Sequence, residues 1–153
     1  MRWAYGVTTV EERTGNLLPT TLASLKKSGF ETPWLFVDNP GDYSRFGLHY
    51  TTRHQRIRTF GNWYLGLTEL YIRNPTADRY AMFQDDFVTY RNLRDYLESC
   101  KFPETGYLNL YTFPSNQSIC PAGYEGWYEA RELDSGETYH GKKQQSGRGA
   151  VGL

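Results

Sequence analysis

Cysteine is scarce in this chain: of 153 residues, only Cys100 and Cys120 are thiols. They stand in no metal-ligating spacing. A single pair cannot supply the disulfide framework that props up small secreted folds. One disulfide stays open as an arrangement, and two buried thiols in a reducing compartment is the expected one. Histidine is nearly as sparse. His49, His54 and His140 are scattered without ligand spacing, so they are read as non-metal residues.

Excess charge of one sign is also missing. Lys+Arg and Asp+Glu each total 17, which argues against a nucleic-acid surface and against a disordered acidic chain. Two small basic clusters (Arg53, Arg56, Arg58 and Lys142, Lys143, Arg148) read as solvated loops. No apolar stretch approaches the roughly 20 residues of a membrane-spanning helix, so no transmembrane segment is expected. The opening Met1-Arg2-Trp3-Ala4-Tyr5-Gly6 lacks a signal-peptide pattern, and the chain as given is expected to be cytoplasmic. The sequon Asn116-Gln117-Ser118 matters only in a secretory protein.

Aromatic residues, by contrast, are dense at 16%, with 13 Tyr and 4 Trp. Their flat apolar faces with a polar handle suit polyhydroxylated ligands such as sugars. The length fits one domain spanning residues 1–153 with a real core.

Strands and helices alternate along the chain. Residues 3–10 are rich in β-formers and lead into a polar loop at 11–16. Leu18, Leu22 and Leu25 recur at helical spacing, with Pro19 in the first turn and Gly29 as the stop. Residues 33–37 predict a short buried strand that ends at the turn signal Asp38-Asn39-Pro40-Gly41. Residues 42–60 read as polar and irregular. A second helix is expected over 62–73, with Trp63, Leu67 and Leu70 on one face, and a third strand over 79–83. A third helix over 90–100 and a strand over 107–112 follow, and residues 113–149 read as loop. The apolar finish at 149–153 resembles the start of another element. This order predicts an α/β fold with a mostly parallel sheet and right-handed crossovers.

Ligands of open α/β sheets bind beyond the carboxyl ends of the strands. Thr8, Thr9, Glu11 and Arg13 follow the first strand, Asp38 the second, and Gln84, Asp85 and Asp86 the third. Parallel strands bring these clusters to one edge. The stretch Tyr80-Ala81-Met82-Phe83-Gln84-Asp85-Asp86-Phe87 is the most informative of them, an apolar run that stops at two carboxylates. Such oxygens suit Mg²⁺ or Mn²⁺ shared with a substrate diphosphate. The plainer alternative is a turn after a strand. Arg13 is either a partner for base or phosphate oxygens or a surface charge.

In order and spacing these segments resemble glycosyltransferases of the Rossmann-like GT-A fold, which bind nucleotide-sugars. Val7-Thr8-Thr9-Val10-Glu11-Glu12-Arg13 resembles their opening nucleotide-binding segment, and residues 17–28 with Gly29-Phe30 their first helix. Residues 34–38 are similar to their second strand, whose terminal Asp contacts base or ribose in many members. Gly61-Asn62 with Leu67 and Leu70 is similar to the helix before the acidic motif, and Gln84-Asp85-Asp86 falls where the family carries Asp-x-Asp. The resemblance covers residues 3–112. It departs from the pattern at Gln84, which can hydrogen-bond a ribose but carries no charge. It also departs in length, since the acceptor-binding half usual in such enzymes is short or missing.

The resemblance implies transfer of a sugar from a nucleotide-diphosphate donor to a glycan or other hydroxyl acceptor. A divalent cation (Mn²⁺ or Mg²⁺) on Asp86 would stabilise the leaving diphosphate, with Asp85 behind it or reached through water. Thr8, Thr9, Arg13, Asp38 and Gln84 would seat the nucleotide. An inverting enzyme needs a base for the acceptor hydroxyl. Glu129, beside Trp127 and Tyr128, is the leading candidate among Glu125, Glu129, Glu132 and Asp134. The tail at 141–149 could close over a diphosphate or remain a solvated loop. Two other classes stay open. One is a non-catalytic nucleotide-sugar or glycan-binding module. The other is a metal-dependent phosphohydrolase built on Asp38, Asp85 and Asp86, for which the expected nucleophile motif and His-rich clusters are lacking.

Overall fold

Each buried strand alternates which side of the sheet its side chains fill. In the computed structural model of the chain, residues 1–100 are described. They form β1 (Trp3–Thr9), α1 (Leu17–Lys27), β2 (Trp34–Val37), β3 (Tyr50–Thr52), α2 (Arg58–Arg73), β4 (Arg79–Gln84) and α3 (Leu93–Ser99). Short 3₁₀ turns occur at Glu11–Arg13 and Ser44–Phe46. The four strands make one parallel sheet in the order β3-β2-β1-β4.

Val7, Leu35, Val37, Ala81 and Phe83 face one side, where Leu18 and Leu25 of α1 and Leu97 of α3 pack on them. Phe36 and Met82 face the other side and meet Leu70 of α2, flanked by Trp63 and Leu67. Period-two alternation on strands buried from both faces produces the near-continuous apolar runs seen in the sequence. Glycine sets how closely the layers approach. A Cβ on Gly6 of β1 would stand 2.5 Å from Phe36 Cε2, and one on Gly66 of α2 would stand 2.9 Å from Phe36 Cγ. The Phe36 ring therefore fills the gap between sheet and helix that these two glycines leave.

The α/β class with a parallel sheet and flanking helices is as expected, and three of the four strands lie where the sequence places them. Residues 42–60, expected to be irregular, contain the edge strand β3 and the first turn of α2. Only three residues long and half-buried, β3 has no hydrophobic run to announce it; its pairing with β2 defines it. α3 begins at Leu93 rather than at Tyr90, after Asn92 with φ 58°. The expected strand at 107–112, the candidate base Glu129 with its neighbouring carboxylates, and the basic tail lie outside the described residues. Among the described residues, no helix is long and apolar enough to cross a membrane.

Candidate functional site at the carboxyl edge of the sheet

Parallel register levels the ends of β1, β2 and β4. Thr8 pairs with Gln84, Thr9 pairs with Val37, and the Asp38 amide donates to Thr9 O at 2.9 Å. Beyond these ends lies an open cleft of about 170 Å³ lined by Thr8, Thr9, Val10, Arg13, Asp38, Thr59, Asn62, Gln84, Asp85 and Asp86. Seven of the eight residues singled out at this edge, Thr8, Thr9, Arg13, Asp38, Gln84, Asp85 and Asp86, line it, and Glu11 does not. Small-molecule sites commonly span roughly 300–1,000 Å³, so this cleft is smaller than a typical one.

The two adjacent aspartates are not equivalent. Asp85 is 2% exposed. Its carboxylate accepts from Thr9 Oγ1 at 2.6 Å and from Arg13 Nη1 at 2.8 Å. Its backbone carbonyl accepts from Thr21 Oγ1 of α1 at 2.7 Å. The side chain of Asp86 is 43% exposed and, among the described residues, accepts only from the same Arg13 nitrogen, at 3.2 Å. One guanidinium nitrogen thus bridges both carboxylates. The Asp85 hydrogen bond is the main cause that holds the Arg13 pKa above its ordinary value, and the charges of Asp85 and Asp86 add to it. Arg13 therefore stays cationic at any working pH.

The other walls are fixed by short polar contacts. Buried Asp38 accepts from the Ile57 amide at 2.8 Å, which anchors the entry to α2. Asn62 donates to Phe36 O at 2.8 Å and accepts from Arg53 Nε at 2.9 Å. Thr8 Oγ1 donates to Phe83 O at 3.2 Å. The segment after Asp86 is tied to α1 as well, since the Thr89 amide donates to Ser24 Oγ at 2.6 Å.

Three carboxylates face one guanidinium in this cleft, a formal surplus of two negative charges. Carboxylate, amide and hydroxyl oxygens are hard donors. They suit a small divalent ion better than soft metals. Among the described residues, no three His, Cys, Asp or Glu side chains gather into a metal-holding group. A metal ion here would need further ligands from outside these side chains, such as waters or substrate phosphates.

Sequence reasoning missed Thr59, Asn62, Thr21 and Ser24. Thr59 fell in the stretch expected to be irregular. Asn62 carried a signal, being a polar residue on the inner face of an otherwise apolar helical pattern. Thr21 and Ser24 lie on α1 and were masked by its leucine repeat.

No protein-family model matches the sequence, no curated protein is significantly similar to it, and no solved structure gives a significant match.

Proposed function

We propose that this chain is a nucleotide-sugar-binding domain of GT-A type that serves sugar transfer to a glycan or other hydroxyl acceptor, with a divalent cation beside Gln84-Asp85-Asp86. The observation that carries this reading is the convergence of Thr8, Thr9, Arg13, Asp38, Gln84, Asp85 and Asp86 on one cleft at the carboxyl edge of a parallel sheet. That edge is where α/β folds take nucleotides. The charge surplus and the hard oxygen donors fit Mn²⁺ or Mg²⁺ held jointly with a diphosphate.

Burial supports the different roles given to Asp85 and Asp86. Asp86, half-exposed, is the ligand for the metal, which when bound supplies the counter-charge for the departing diphosphate. Asp85, held by Thr9 and Arg13, orients the loop and stands behind the metal or reaches it through water. Arg13 reaches phosphate or base oxygens. Asp38 and Gln84 address ribose or base. Glu129 is the proposed base for the acceptor hydroxyl, taking its proton as the glycosidic bond to the donor breaks.

One observation favours a second reading, a binding module without turnover. With Asp85 buried and engaged by Thr9 and Arg13, and Gln84 uncharged, a single exposed carboxylate of the acidic motif is left for a metal.

Thermal unfolding against a panel of nucleoside diphosphates, with and without Mn²⁺, tests both. A ligand of the native state raises the midpoint by mass action. The expected result is a shift for one nucleotide that requires Mn²⁺ and is strengthened in Gln84→Asp. No shift for any nucleotide overturns both readings. A shift without release of sugar from any nucleotide-sugar selects the binding module.

A further inference from the structure

Arg13 already does at this site what a metal ion would do. Its Nη1 lies 2.8 Å from Asp85 Oδ1 and 3.2 Å from Asp86 Oδ2, a cation shared between two carboxylates. A divalent ion that bridged the same oxygens would need the same place. Two cations cannot occupy it together without strong repulsion.

Asp85 makes the choice of cation strict. Its side chain is 3% exposed, and taking the charge partner from a buried ion is strongly destabilising. The Thr9 hydroxyl supplies a hydrogen bond to it but no charge. Arg13 itself is 44% exposed on the short turn Glu11–Arg13 and is free to swing once its carboxylates are satisfied in another way.

We infer that Arg13 is a built-in counter-cation that guards the Asp85–Asp86 pair and yields it only to a divalent ion arriving with a diphosphate, to which the guanidinium then turns. This rests on the metal–diphosphate reading of the cleft given above. The physical reason is a balance of partners. A bare ion must expel Arg13 from its anions and leave it beside a new positive charge. An ion that carries a diphosphate brings fresh oxygens for the guanidinium, and Arg–phosphate contacts are among the stronger charge-assisted hydrogen bonds. The device couples metal to diphosphate binding. Such coupling is reciprocal between the two ligands. It keeps the cleft from loading a metal without its nucleotide.

The test uses the full chain and two probes, Mn²⁺ alone and its complex with inorganic pyrophosphate, with bound Mn²⁺ read by electron paramagnetic resonance. In the native chain, Mn²⁺ alone is expected to bind about tenfold or more weakly than the complex. In Arg13→Gln, Mn²⁺ alone is expected to bind about tenfold tighter than in the native chain, while the complex binds more weakly. The preference for the complex is then largely lost. If Arg13→Gln binds Mn²⁺ alone with native affinity while the complex still binds both proteins, Arg13 is no guard, and the metal–diphosphate reading stands without it. If neither protein binds either probe, the reading of the cleft falls together with the inference. Should Arg13→Gln fail to fold, the native chain decides alone: equal affinity for both probes overturns the proposal.

Discussion

The two ends of the sheet use the same residue types in opposite ways. At the amino-terminal end, charged side chains close local contacts. The Arg2 amide donates to Asp78 at 2.7 Å, Arg94 donates to Glu98 at 3.0 Å, and Trp3 Nε1 donates to the same Glu98 oxygen at 2.8 Å. Arg79 donates to the Leu97 carbonyl. These contacts tie Trp3 and Arg79 to α3 and Arg2 to the turn before β4, and their acids stay partly exposed, the Asp78 side chain at 46% and that of Glu98 at 30%. At the carboxyl-terminal end, carboxylates line a cleft in excess of the cations there, and two of them, Asp38 and Asp85, are buried. Solvated pairs are cheap to keep and add little. Buried carboxylates in surplus are costly, and a fold that needed only stability would not place them together. The difference makes the carboxyl end the candidate site.

The largest effect that separates the ends is expected for Asp85→Ala. The substitution removes the acceptor of Thr9 and the main partner of Arg13. Thr9 Oγ1 keeps its longer contact to Val10 O at 3.3 Å, and the lost charge-assisted hydrogen bond in a buried setting carries most of the cost, about 2 kcal/mol. Urea unfolding should show the loss as a lower midpoint with unchanged slope. Asp86→Ala is the control next door. Its half-exposed side chain makes one contact, so its stability is expected to stay within about 0.5 kcal/mol of native. Under the proposed function, Asp86→Ala nonetheless loses the Mn²⁺-dependent nucleotide shift. Equal stability losses in the two variants would erase the distinction between support and ligand.

How far the sequence revealed this arrangement depended on the kind of signal. Leu18, Leu25 and Leu97, and the run from Leu35 to Val37, carry periodic patterns, and the elements built on them appeared where expected. Turn chemistry at Asp38-Asn39-Pro40-Gly41 and at Gln84-Asp85-Asp86 placed the carboxyl ends of β2 and β4, so the edge of the cleft was legible. β3 was not, because its three half-buried residues gain their identity from pairing with β2 rather than from composition. Nor was the inequality of Asp85 and Asp86. Adjacent identical residues differ only in which way each side chain points, and that is set by Thr9, Thr21 and Arg13 arriving from elsewhere in the chain. Long-range polar contacts leave no periodic trace.

The smallest effect belongs to the amino-terminal end and tests its independence. The Glu98 pKa is lowered from its ordinary 4.5, first by the Arg94 hydrogen bond and then by that from Trp3. A carboxylate depressed in the folded state contributes stability that is complete above its unfolded pKa and fades as pH falls through the folded value. Glu98→Gln keeps an acceptor for the Trp3 indole but loses the charge. At neutral pH the expected cost is about 0.5 kcal/mol, the scale of an i,i+4 helical ion pair. As pH falls below the ordinary 4.5 and on through the lower folded value, the variant and native curves should converge. Nucleotide binding in Glu98→Gln should match the native chain at every pH where both are folded. A lost Mn²⁺-dependent shift in this variant would mean that the amino-terminal clamp reaches through β1 and β4 to the cleft, and the two ends could no longer be treated as separate systems.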